Sequence, residues 1–157
     1  MFENEIKSIA LFFFFAVLDD KKAIHTSSRA SDLFYLRMKK NPNQNPNVAL
    51  VTVTRQAWDK SKNNFYRGRP QYSIESGWLI PTGLDMSPWK EFQKSSHEDE
   101  LLAVIWSKIL KIPEADISLA LGITEGTLRY RIGRGLRKLG GMTHNFKKNL
   151  EVVRSHV

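Results

Sequence analysis

The chain of 157 residues carries 24 Lys and Arg against 16 Asp and Glu, a formal charge of +8, with 41% hydrophobic residues and no cysteine. That length suits one domain or two small ones, and the composition excludes a disordered chain, a collagen-like chain and a disulfide scaffold. The lack of cysteine removes any thiolate nucleophile or Cys-ligated zinc, and the basic balance favours an anionic partner: nucleic acid, an acidic protein face or a membrane surface.

The first apolar run, Ile9 to Leu18, is ten residues long, about half of the roughly 20 that a spanning helix needs. Glu3 and Glu5 precede it and Asp19-Asp20-Lys21-Lys22 follow it, unlike an export signal with its positive start and small-residue cleavage site. The run therefore predicts a helix over 6–18 enclosed by protein, no membrane insertion, and a cytoplasmic location. Residues 22–40 show a helical stripe of Ala23, Ser27, Ala30, Leu33 or Phe34, Arg37 and Met38. The segment 41–47 alternates asparagine with Pro42 and Pro46 and predicts a loop.

Residues 48–66 are ambiguous. Val48 to Thr54 is rich in β-branched residues and reads locally as a strand, but no second strand exists to pair with it. Leu50, Val53 and Ala57 fall at helical spacing, and a helix is the expectation. Residues 68–95 predict a linker, broken by Gly68, Pro70, Gly77, Pro81, Gly83 and Pro88, although Tyr72, Trp78, Trp89 and Phe92 are many aromatics for a spacer. They either pack on a neighbouring domain or form a partner-binding segment.

The last third has the clearest signals. Ser96-His97-Glu98-Asp99 has the Ser-x-x-acid form of a helix start, and Leu101, Ile105, Ile109 and Ile112 form an apolar stripe. Pro113 ends that helix and opens a second one, for which Gly122 suits a left-handed cap. Thr124 caps a third helix whose buried face is Leu128, Ile132, Leu136 and Leu139, and Gly140-Gly141 stops it. Residues 142–157 form a basic tail. The fold expected is all-α: two small helical domains, 1–67 and 96–141, joined by the linker, the second containing a helix-turn-helix.

Residues 124–157 hold 8 basic and 2 acidic residues, so +6 of the +8 lies there. With Leu128 and Ile132 turned inward, Glu125, Thr127, Arg129, Tyr130, Arg131, Arg134 and Arg137 face outward or flank the helix. Arginines grip phosphates bidentately or read guanine edges, and Thr127 with the free amides of the helix start can hold a phosphate. The alternative is an ordinary solvated charged face. Gly133 and Gly135 each weaken the helix by about 1 kcal/mol relative to alanine.

The stretch Ile117 to Leu139, with Gly122-Ile123-Thr124-Glu125-Gly126-Thr127 at its turn, resembles region 4 of bacterial RNA polymerase sigma factors, especially the extracytoplasmic-function group. Leu18 to Ala23 and Asp32 to Arg37 resemble the core-binding helices of sigma region 2. Val51 to Asp59, followed by Lys60, Lys62, Tyr66 and Arg67, resembles its promoter-melting helix. The resemblance implies double-stranded promoter DNA and RNA polymerase core as partners, with an anti-sigma-type inhibitor as a third. It puts Lys60, Lys62, Arg67 and Arg69 on phosphates and Trp58, Phe65 or Tyr66 near unstacked bases, unless Trp58 belongs to the core. It also gives base reading to the helix that starts at Thr124. The sequence departs from the family in having no acid between Ile24 and Ser31, and in placing Tyr130 where a small residue is usual.

No catalytic residues, cofactor or metal are expected: His25, His97, His144 and His156 are scattered, and Gly133-Arg134-Gly135 lies within a helix. Two other readings remain. One is a helix-turn-helix regulator that uses 1–95 to dimerise or sense; the other is a degenerate sigma-like adaptor that acts by binding protein.

Overall fold

A computed structural model describes residues 1–64, the backbone of Phe65, and residues 85–140. It is all-α, and no strand occurs among the described residues. Helix α1 spans Glu3–Val17, α2 Asp20–Lys40, α3 Pro46–Phe65, α4 Ser87–Ser95 and α5 Glu98–Val104. A π-helical turn, Ile105–Ile109, extends α5, and α6 (Glu114–Leu121) and α7 (Glu125–Gly140) follow.

Helix α1 is the centre of the molecule. Ile9 and every residue from Leu11 to Leu18 are buried, which is why this helix is apolar on all sides. It ends on Leu18 in the left-handed region (φ 56°), where the amide donates to the Phe14 carbonyl at 2.8 Å. A leucine there is strained, because its Cβ crowds the following carbonyl, and complete burial holds it in place. Asp19 starts α2 by accepting from the Lys22 amide at 3.1 Å. Of the two candidates on α2, Phe34 is buried, whereas Leu33 lies open at 43%.

The ambiguous stretch is helix α3. It begins inside the expected loop, because Pro46 is tolerated at a first helical position and Asn45 Oδ1 accepts from the Asn47 amide at 2.9 Å. Two threonines return their hydroxyls to the preceding turn, so they do not need a strand environment: Thr52 Oγ1 donates to the Val48 carbonyl and Thr54 Oγ1 to that of Leu50, both at 2.8 Å. Residues 87–95, expected as linker, form helix α4, with Ser87-Pro88 at its start and Trp89 and Phe92 fully buried.

The hydrophobic core runs through both expected domains. Trp106 stacks on Phe12 with ring centroids 5.4 Å apart, and its Nε1 donates to Thr54 Oγ1 at 3.0 Å. Trp89 packs edge-on against Phe15, and its Nε1 donates to the Phe15 carbonyl at 2.7 Å. Asn45 and Asn47 donate to the two oxygens of Asp116 at 3.0 and 3.1 Å, tying the start of α3 to α6. Residues 66–84, including Tyr66, Arg67, Arg69, Tyr72 and Trp78, and the tail from Gly141 onward, with His144 and His156, lie outside the described residues.

Two local expectations are corrected. Ser96 does not cap α5: the helix begins after His97, whose side chain makes no capping bond, and Ser96 Oγ is buried without a hydrogen-bond partner among the described residues. The α5 helix also stops short of Pro113. The π turn widens its last turn, Lys111 adopts φ 57°, and Ile112 lies outside the helix although buried.

Candidate nucleic-acid interface

The turn between α6 and α7 is built as its residues require. Gly122 ends α6 with φ 68° and ψ 34°, a conformation open to glycine. Thr124 Oγ1 accepts from the Thr127 amide at 3.1 Å and donates to Thr127 Oγ1 at 2.9 Å, which closes the first turn of α7. Leu128, Ile132 and Leu139 are buried, and Leu136 is half-buried. The fourth inward position is Gly135, which is buried against α5. A Cβ there would stand 2.6 Å from Val104 Cγ2 and 3.3 Å from the Glu100 carbonyl oxygen. The helical weakness of this glycine is thus the condition for α5 and α7 to approach so closely.

Thr124, Glu125, Thr127, Arg129, Tyr130, Arg134 and Arg137 are exposed on one end and outer side of α7. Their charges, however, are largely balanced from within. Arg129 Nε meets Glu114 Oε2 at 3.0 Å and its Nη2 meets Glu125 Oε2 at 3.4 Å. Arg131 Nη2 lies 3.7 Å from Asp99 Oδ2, whose other oxygen is 3.5 Å from Arg55 Nη1 on α3. Arg134 Nε donates to Glu100 Oε1 at 2.9 Å, and Lys138 Nζ to Glu100 Oε2 at 2.8 Å. Arg134 Nη1 also donates to the Tyr130 hydroxyl at 3.1 Å, with the guanidinium 5.7 Å from the ring centre.

Glu100 is the anchor of this arrangement. Its side chain is 6% exposed. Burial pushes its carboxyl up, but the hydrogen bonds and charges of Lys138 and Arg134 outweigh burial and hold it below the ordinary value. Arg134 is raised in turn by the Tyr130 and Glu100 contacts.

Sequence reasoning missed Asp99 and Glu100 as partners of α7, because acids at a helix start serve its dipole equally well. The one signal in the sequence was the place of Glu100 directly before the Leu101 stripe; in the structure it is 5% exposed, and a buried carboxylate requires cations.

On α3, Lys62 Nζ meets Glu98 Oε1 at 3.3 Å and Asp59 Oδ1 at 3.9 Å. Lys60 is exposed and makes no ion pair among the described residues. Trp58 belongs to the core at 1% exposure, and its Nε1 donates to Glu98, so it offers no face to a base. Arg137 is the α7 cation that makes no ion pair among the described residues. Among these residues no three His, Asp or Glu side chains are grouped to hold a metal, and no helix is long and apolar enough to cross a membrane.

The chain matches no family model, and neither a curated protein nor a solved structure is detectably similar to it.

Proposed function

We propose that the chain is a cytoplasmic, sigma-like transcription initiation factor, in which α6, the Gly122 turn and α7 act as a helix-turn-helix on double-stranded promoter DNA and the N-terminal helices recruit RNA polymerase core. The observation that carries this reading is the Gly122–Thr124 turn. Its left-handed glycine and threonine cap place the start of α7 beside the exposed Thr127, Arg129 and Tyr130, and Arg137 follows further along the same outer side of the helix. Arg137 takes a phosphate or base edge directly, with Tyr130 on the same outer side. Arg129, Arg131 and Arg134 are held by Glu114 and Glu125, Asp99 and Glu100, and reach DNA only by exchanging those partners.

The test is duplex binding as a function of salt, where log K falls by about 0.9 per phosphate contact for each decade of salt. Replacing both Arg129 and Arg137 with alanine lowers that slope by about 2. An unchanged slope and affinity would show that α7 is not the reading helix. Retention of core polymerase by the purified protein at low salt tests recruitment, and its absence removes that half of the proposal.

A specific observation favours a second reading, an adaptor that acts by binding protein: Glu114, Glu125, Asp99 and Glu100 neutralise most of the α7 cations. This reading predicts no duplex binding at any salt concentration.

A further inference from the structure

Away from α7, helices α2 and α3 enclose an open groove of about 600 Å³. Leu33, Leu36 and Val53 supply its apolar lining, and Arg37, Lys39 and Lys40 its charges. Val53 is buried, whereas Leu33 is 43% and Leu36 63% exposed, although each lies within a well-formed helix. Among the described residues Arg37, Lys39 and Lys40 make no ion pair, and the buried Arg37 Nε has no hydrogen-bond partner. Basic residues in the last turn of a helix ordinarily serve its dipole. The dipole does not account for two open leucines beside them, nor for a guanidinium nitrogen removed from water and left unpaired.

We propose that this groove docks an acidic amphipathic segment of a partner protein, whose leucine-like side chains enter between Leu33, Leu36 and Val53 while its carboxylates meet Arg37, Lys39 and Lys40. The chemistry selects this occupant over the other anions. The apolar lining is aliphatic, whereas single-stranded nucleic acid is held by aromatic platforms. A concave groove accepts protruding side chains, whereas a bilayer surface presents none. The volume lies in the range of sites that bury a few side chains. Carboxylates satisfy the free guanidinium and ammonium groups, and the apolar side of the same segment covers the leucines. The inference deepens the recruitment half of the function proposed above, since Leu33, Leu36 and Arg37 lie in the stretch that resembles a core-binding helix. It gives that surface a partner chemistry whose peptide test is independent of core retention and of α7 reading DNA.

The probe is a labelled synthetic helix-forming peptide of glutamates with leucine at every third or fourth position, titrated with the full chain and followed by anisotropy. An otherwise identical peptide with serine for leucine is the control. The leucine peptide binds at least roughly tenfold more tightly than the serine peptide. Leu36→Asp and the double variant Lys39→Glu/Lys40→Glu each abolish that preference while the chain still unfolds in one cooperative transition, lowered only modestly by acids at the end of α2, since all three side chains are exposed. Arg137→Ala leaves it intact. Equal binding of the two peptides overturns the proposal, as does indifference to Leu36→Asp. Tighter binding of phosphatidylglycerol vesicles or of duplex DNA through Leu36 and Lys40 also overturns it, by assigning the groove to a different anion.

Discussion

Helix α7 and the end of α2 are both rich in arginine and lysine, but they use these charges in opposite ways. On α7 the cations are spent inside the molecule: Arg134 and Lys138 on Glu100, Arg131 on Asp99, Arg129 on Glu114 and Glu125. At the end of α2, Arg37, Lys39 and Lys40 have no carboxylate to meet among the described residues. The count of charges along a sequence therefore differs from the count of charges open to a partner. The segment with the larger excess offers the smaller free surface, because its acids arrive from other helices.

The largest expected effect comes from breaking the α7 arrangement at its anchor. Glu100→Ala removes two charge-assisted hydrogen bonds and a buried side-chain stem beside a closely packed interface, while Arg134 and Lys138 stay open enough to be hydrated, and lowers stability by about 2–3 kcal/mol in denaturant titration. The two cations become free in the native state, so any duplex affinity rises as stability falls. The pH dependence follows from the same carboxylate. A glutamate held below its ordinary value stabilises the fold above the unfolded value of about 4.3, and that contribution fades as pH falls from there through the lowered native value. The acid limb of the stability curve is correspondingly shallower for Glu100→Gln.

Gly135→Ala comes next. Its methyl group meets Val104, which is buried and stiff at χ1, and the substitution costs about 1–3 kcal/mol. Gly133→Ala supplies the internal contrast: its nearest neighbour is Arg137 Nη1 at 3.7 Å, an exposed side-chain end. That variant gains about 0.5–1 kcal/mol from helix propensity. Removing the cap with Thr124→Ala costs about 1 kcal/mol and frays the start of α7, seen as faster amide exchange there. The smallest expected effect sharpens the other side of the comparison. Lys39→Ala/Lys40→Ala leaves stability within about 0.5 kcal/mol, as befits exposed charges whose internal role is limited to the helix dipole.

Much of the fold was legible wherever a local rule acts alone. A run apolar on all sides demanded enclosure, and α1 is enclosed. Gly122 and Thr124 have the cap geometries that their residue types favour. Period 3.6 overrode β-branched composition in α3, because two threonines could return their hydroxyls to the helix. What escaped the sequence was long-range. Proline-rich 68–95 read as linker, yet Trp89 and Phe92 turn its end into a core helix. Ser96 carried a capping signature but lies buried one residue too early to use it. The arginines of α7 were recognisable as an outer face, while the acids that neutralise them sit on α5 and α6, separated in sequence and adjacent in space.

The burial of α1 imposes an order on the birth of the molecule. Its Phe12 and Phe15 rest on Trp106 and Trp89, so α1 leaves the ribosome well before partners that it needs for burial. At a synthesis rate of about 5–20 residues per second, roughly 5–20 s separate Phe15 from Trp106. During that interval α2 and α3 can shelter one side of the phenylalanine run, and the other side meets water or a chaperone. The best-covered helix of the finished protein is thus the most exposed one of the nascent chain.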